Sequence, residues 1–221
     1  MRKRLLLIFF GLAFISLLAA CTPAPSLPPT LTPTPSGEVL FQDDFSDPNS
    51  GWDQYNGMLG LTDYANGAYR IAVNEAGRLF WANPGQEFTD VSIEVTAQKV
   101  RGGDQNSYGV ICRYQSTDSF YALTIGSDGT YGIRKREQAG VAPIFIGNPF
   151  QETSPVIQTG EATNTIRADC IGNTISLYVN GELLVQVEDA GNLSGDVGLF
   201  VGTFSASTTE VLFDNFVVRT P

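Results

Sequence analysis

DVSIEVTAQ, residues 90–98, alternates without a break: Val91, Ile93, Val95 and Ala97 fall on one side of an extended chain, and Ser92, Glu94, Thr96 and Gln98 on the other. A period of two marks a β-strand with one buried face, because successive side chains leave the pleat on opposite sides. Outward from this stretch the same grain continues. AYRIAV (68–73), RLFWA (78–82), SYGVICRYQ (107–115), FYALTIG (120–126) and TYGIRKR (130–136) read as strands. So do PIFIG (143–147), NTIRADCI (164–171), VGLFVGTF (197–204) and EVLFDNFVVR (210–219). Turn residues punctuate them, among them Asn74-Glu75-Ala76-Gly77 and Ser127-Asp128-Gly129. No segment carries a helical period of useful length. Many short strands without helices predict an all-β fold, a two-sheet antiparallel sandwich or a barrel.

One hairpin can be read to its register. TISLYVNGELLVQV, 174–187, holds Asn180-Gly181, a strong hairpin signal. A two-residue turn would pair Leu177 with Leu184 but set Ile175 against Gln186. A three-residue loop, Val179-Asn180-Gly181, would instead pair Leu177 with Leu183 and Ile175 with Val185. Apolar matching selects the second, with Gly181 left-handed and closing a bulge.

Before the folded part stands a different kind of sequence. MRKR (1–4) followed by the apolar run LLLIFFGLAFISLLAA (5–20) has the form of a secretory signal peptide and is short for a membrane span. The run closes on Leu18-Ala19-Ala20-Cys21, which resembles the lipobox of bacterial lipoproteins and implies a diacylated Cys21 and an extracytoplasmic, lipid-anchored protein of the cell membrane or outer membrane. TPAPSLPPTLTPTPSG (22–37) holds six of the chain's 12 prolines. With Cys21 it forms a tether over 21–37, able to span roughly 50 Å at about 3.1 Å per residue. Residues 38–221 are left as one domain. The chain has a formal charge of −10, and removal of the leader takes Arg2, Lys3 and Arg4 with no acid. Nucleic acid and anionic headgroups would repel such a surface, so neither is an expected partner, and contact with a membrane falls to the lipid.

Five pieces, in order, carry a family resemblance: FQDDFSDPNSGW (41–52), NGAYRI (66–71), YGVICRYQSTDSFY (108–121), TISLYVNGELL (174–184) and DVGLFVGTF…FDNFVV (196–218). Together they resemble the concanavalin A-like lectin/glucanase jelly rolls, in particular laminin-G-like and 3-keto-disaccharide hydrolase-like domains. The resemblance implies two antiparallel sheets, one concave, with the chain ends in neighbouring strands. It also implies a carbohydrate or another extracellular ligand. A glycoside hydrolase or lyase of the same superfamily, or a structural module of the cell envelope, is the alternative. The glucanase motif E-x-D-x-E is absent, Glu94 stands alone on its strand, and the chain has no histidine, so no His-dependent triad exists. Two carboxylates would still suffice for a glycosidase, but binding is the expectation.

Sugar faces use aromatic rings and orienting polar groups. Trp81, Tyr121 and Tyr131 are the candidate rings, with Tyr108 and Tyr114 nearby, and Arg113 is the candidate cation, since it alternates away from Cys112 in mid-strand. Cys112 and Cys170 lie on apolar strand faces of an exported domain and read as one disulfide, with two buried thiols as the alternative. The acids at the two chain ends raise a separate question. Asp214 matches the last-strand acid that holds a structural Ca²⁺ in some jelly rolls, with Asp43 or Asp44 from the first strand and Gly67 through its carbonyl. The alternative is a polar edge, in which these acids hold turns and amides. Asp47-Pro48-Asn49 reads as a turn.

Overall fold

The computed structural model describes residues 36–138, 140–147, 152–204 and 208–221. The leader, Cys21 and all but the end of the tether lie outside them. Seventeen strands and no helix form the described part. In order they are β1 (Val39–Asp43), β2 (Tyr55–Gly57), β3 (Gly60–Ala65), β4 (Ala68–Val73), β5 (Leu79–Ala82) and β6 (Glu87–Phe88). Then come β7 (Val91–Gly102), β8 (Asn106–Ser116), β9 (Ser119–Ile125), β10 (Thr130–Arg136), β11 (Ile144–Ile146) and β12 (Glu152–Thr153). The last five are β13 (Thr163–Ile171), β14 (Thr174–Val179), β15 (Glu182–Glu188), β16 (Gly195–Thr203) and β17 (Thr209–Arg219).

They make two antiparallel sheets, the jelly-roll-like sandwich expected. Sheet 1 runs β15-β14-β13-β7-β17-β4-β3-β2, with β1 also on β17. Sheet 2 runs β11-β10-β9-β8-β16-β5, with β12 on β10 and β6 on β16. Long neighbours in sequence are often not neighbours in the sheet, because a sandwich must send the chain back and forth between layers. Val91, Ile93, Val95 and Ala97 of β7 are buried in the main core, as the alternation of 90–98 requires. Facing them from sheet 2 are Tyr108, Val110, Leu123, Ile125, Leu199 and Val201. Cys112 of β8 and Cys170 of β13 are joined by a disulfide that crosses from sheet 2 to sheet 1 through this core.

The β14–β15 hairpin corrects one expectation. Its loop is the two-residue Asn180-Gly181, both at positive φ (50° and 86°), which is the turn whose twist suits paired strands. The bulge lies farther along, where Leu177 pairs with Val185 but Tyr178 with Leu183, leaving Leu184 as the extra residue. Ile175 then meets Val187. The apolar matching is therefore achieved by a bulge inside β15 and not by a longer loop.

Chain ends do meet. Along one edge of β17, β4 pairs with Thr209–Phe213 and β1 with Phe216–Arg219, while β7 occupies the other edge throughout. Just outside the strands, the Glu38 amide donates to Thr220 Oγ1 and the Thr220 amide to the Glu38 carbonyl, both at 2.9 Å.

Candidate functional site

Sheet 2 is covered on both faces. Opposite the main core, Ile111, Phe120, Ala122 and Phe200 form a second buried cluster, with Leu79, Trp81 and Tyr114 packed against it. Glycines make room for larger neighbours: a Cβ on Gly132 would strike the Phe145 ring, and one on Gly198 the Ala82 carbonyl and the Asn83 amide. With no side chain beneath them, large groups can lie flat on the sheet. Trp81 stands 5.5 Å from Phe120, and Tyr114 stacks on Phe120 at 5.8 Å. The Arg136 guanidinium sits over Trp81 (5.8 Å) and Phe120 (6.0 Å). Arg134 lies deeper, between the Phe145 and Phe204 rings, and donates to Ser107 Oγ at 2.8 Å. Burial pulls its guanidinium down to about 10.

Two open pockets flank the filled middle of this face. One, about 340 Å³, is lined by Arg78, Leu79, Trp81 and Arg136 together with the segment 140–142. The other, about 470 Å³, is lined by Tyr114, Gln115, Glu87 and Asp196 with neighbouring backbone. Glu87 and Asp196 are direct partners on β6 and β16. Burial holds the Asp196 carboxyl above its ordinary value, although the Gly85, Gln86 and Val197 amides donate to it.

Of the predicted ligand residues, Trp81 lines the first of these pockets and Tyr114 the second. Arg113 does not project from the sheet. Its φ is 55°, and the β8–β9 register shifts between Cys112 and Ser116, so strict alternation fails there and the side chain turns inward. It is 1% exposed, donates through Nη2 to the Gly172 carbonyl, and has no partner at Nε or Nη1 among the described residues. Tyr121 is also interior, its hydroxyl donating to Asp189 at 2.6 Å, and burial pushes it up to about 12. Tyr131 packs on the margin of the main core and donates to Glu152 at 2.8 Å. Phe120, Phe200 and Arg136 were not singled out from sequence. For the two phenylalanines the signal is the near-continuous apolar runs of 120–125 and 197–201, which mark strands buried on both faces; Arg136, at the end of 130–136, carries no such signal.

The acids of the chain ends gather around one junction. Asp43 pairs with Phe216 and Tyr69 with Phe213, so Asp214 and Asn215 bridge the gap between the end of β1 and the Asn66-Gly67 turn. A calcium ion takes six to eight oxygens. Both oxygens of Asp43 already accept: Oδ1 from the Phe45 amide at 2.7 Å, Oδ2 from the Ser50 hydroxyl and from the Trp52 indole N–H at 2.9 Å. Asp44 Oδ1 takes the amide and hydroxyl of Ser46, and Asp214 Oδ1 the amide of Asn215. Asp47 holds the Asn49 amide, the turn expected there. No group of three or more His, Cys, Asp or Glu suited to a metal occurs among the described residues. The hydrogen bonds that these acids make among the described residues are those of the polar edge. Around them Phe41, Phe45, Trp52, Tyr69 and Phe216 pack ring against ring, Trp52 and Phe216 at 4.9 Å.

No family model matches the chain, and no curated protein is similar enough in sequence to match it. Solved structures match in fold. The carbohydrate-binding module CBM66 from Bacillus subtilis is 14% identical, with a TM-score of 0.62 over 77% of this chain and 96% of that one. A B. subtilis protein with a galectin-like fold gives 0.58 at 11% identity, over 83% and 96%. The catalytic domain of an endo-1,3-beta-glucanase (laminarinase) from Thermotoga petrophila gives 0.57 at 11%, over 84% and 98%. The likeness is one of fold. Both binding modules and hydrolases share it.

Proposed function

We propose that this protein binds carbohydrate on the outer face of sheet 2, with Trp81 as the stacking platform, and that a diacylated Cys21 holds it outside the cytoplasm. The observation that carries the first part is the Trp81–Arg136 pair on an open pocket at the edge of an aromatic floor. An indole face offers a sugar ring an apolar surface, and a guanidinium beside it can orient hydroxyls. The fold's likeness to a carbohydrate-binding module agrees with this reading. A glycan array is expected to give hits with the native chain, and Trp81→Ala should weaken the best of them by about tenfold, the scale of one lost ring contact. No hit, or hits indifferent to Trp81→Ala, would overturn the assignment.

The anchor rests on the lipobox. Cys21→Ser is expected to move the protein from the detergent phase to the aqueous phase in detergent partition. A variant that stays in the detergent phase would point to another anchor. A second reading, glycoside hydrolysis, is favoured by one feature, the Glu87–Asp196 pair with a carboxyl held above its ordinary value. Release of reducing ends from an array hit, lost in both Asp196→Asn and Glu87→Gln, would establish it.

A further inference from the structure

We propose that the glycan bound at the Trp81 pocket is anionic and presents a carboxylate or sulfate to Arg136 and Arg78. This deepens the carbohydrate reading and rests on it. The chain carries 23 acids against 13 basic residues, yet the described residues lining this pocket include two arginines and no acid. Its other liners are glycine or apolar.

The arginines differ from those the fold uses for its own bonds. Arg70 fills its fork on Asp63, Nε at 2.8 Å and Nη2 at 2.7 Å. Among the described residues, Arg136 has a buried Nε with no hydrogen-bond partner, and its carboxylate neighbour Asp118 stands 3.6 Å from Nη2. That distance is well beyond the roughly 2.7–2.9 Å of a charge-assisted bond. Among the described residues the Arg78 guanidinium meets only Glu75, at 3.2 Å, and both are about half exposed, an arrangement that water competes with easily. A guanidinium mostly withdrawn from water is costly when its Nη edge, the one not buried with Nε, is met only by a distant carboxylate. A planar carboxylate or a sulfate accepts from such a fork in pairs, which a sugar hydroxyl does not. The ring of the same sugar would lie on Trp81.

The test measures binding by calorimetry with three probes: tetragalacturonate, its neutral galactotetraose counterpart, and a sulfated galactotetraose. At least one acidic probe is expected to bind about tenfold or more tighter than the neutral one, the worth of a charge-assisted pair. Arg136→Gln should bring it to the neutral level, and Arg136→Lys should recover part. The two acidic probes separate carboxylate from sulfate. Melting temperature confirms that the variants fold. Neutral binding as tight as acidic binding, lost in Trp81→Ala, would overturn the anionic preference and leave the carbohydrate reading standing. No binding by any probe at millimolar concentration would overturn the anionic preference as well, and the glycan array would then decide the broader reading alone.

Discussion

Replacing Cys112 and Cys170 together by alanine is expected to lower the melting temperature of the domain by roughly 10 °C. The bond links residues 58 apart in sequence. Chain-entropy reasoning assigns a loop of that length about 4 kcal/mol, acting on the unfolded chain. The position adds a second reason. Cys112 belongs to sheet 2 and Cys170 to sheet 1, both wholly buried, so the bond ties the two layers covalently through the core. Alanine at both sites also removes two sulfurs from a close-packed core. Thermal melts of the double variant beside the oxidised native protein decide the matter. Equal melting temperatures would show that the bond adds nothing to stability.

Asp43→Ala is expected to cost about 3 kcal/mol, and millimolar Ca²⁺ is expected to leave the native melting temperature where EDTA leaves it. The carboxylate accepts the Phe45 amide, the Ser50 hydroxyl and the Trp52 indole N–H. Hydrogen bonds to a charged group contribute about 1.5–3 kcal/mol each, and a donor left buried without a partner costs about 1–3 kcal/mol. Trp52 is 3% exposed, so its N–H has no ready access to water. Asp43→Asn keeps the shape and one acceptor oxygen and should lose less than half as much. Urea denaturation of both variants gives the differences. A melting temperature that rises with Ca²⁺, and ceases to rise in Asp214→Ala, would establish the metal and displace this account of the junction.

Strand positions were legible because alternation survives wherever one face is wet. Residues 90–98 are the clear case, with Glu94, Thr96 and Gln98 turned away from the core that takes Val91, Ile93, Val95 and Ala97. The disulfide followed from cysteine placement on such faces. Alternation failed at Arg113, where a non-glycine residue in the left-handed region reverses the side of the strand without any glycine to announce it. It failed again in the β14–β15 hairpin, since apolar matching fixes which residues meet but not which position absorbs the extra one. For the proposed ligand face the difficulty was different. Phe120 and Phe200 belong to strands buried on both sides, and in such a run no polar partner indicates which ring faces the core. Arg136 and Trp81 are brought together from β10 and β5, strands that lie far apart in the order of sheet 2, and no local pattern encodes that meeting.

The reciprocal hydrogen bonds between Glu38 and Thr220 have a consequence for modularity. Entry to and exit from the fold are side by side, separated by no more than the width of one strand pair. Such a unit can be spliced into a surface loop of a host protein without stretching either, since the host chain leaves and returns at nearly the same point. Residues 38–220 are thus built as a portable cassette, and the Trp81 pocket on sheet 2 would travel with it.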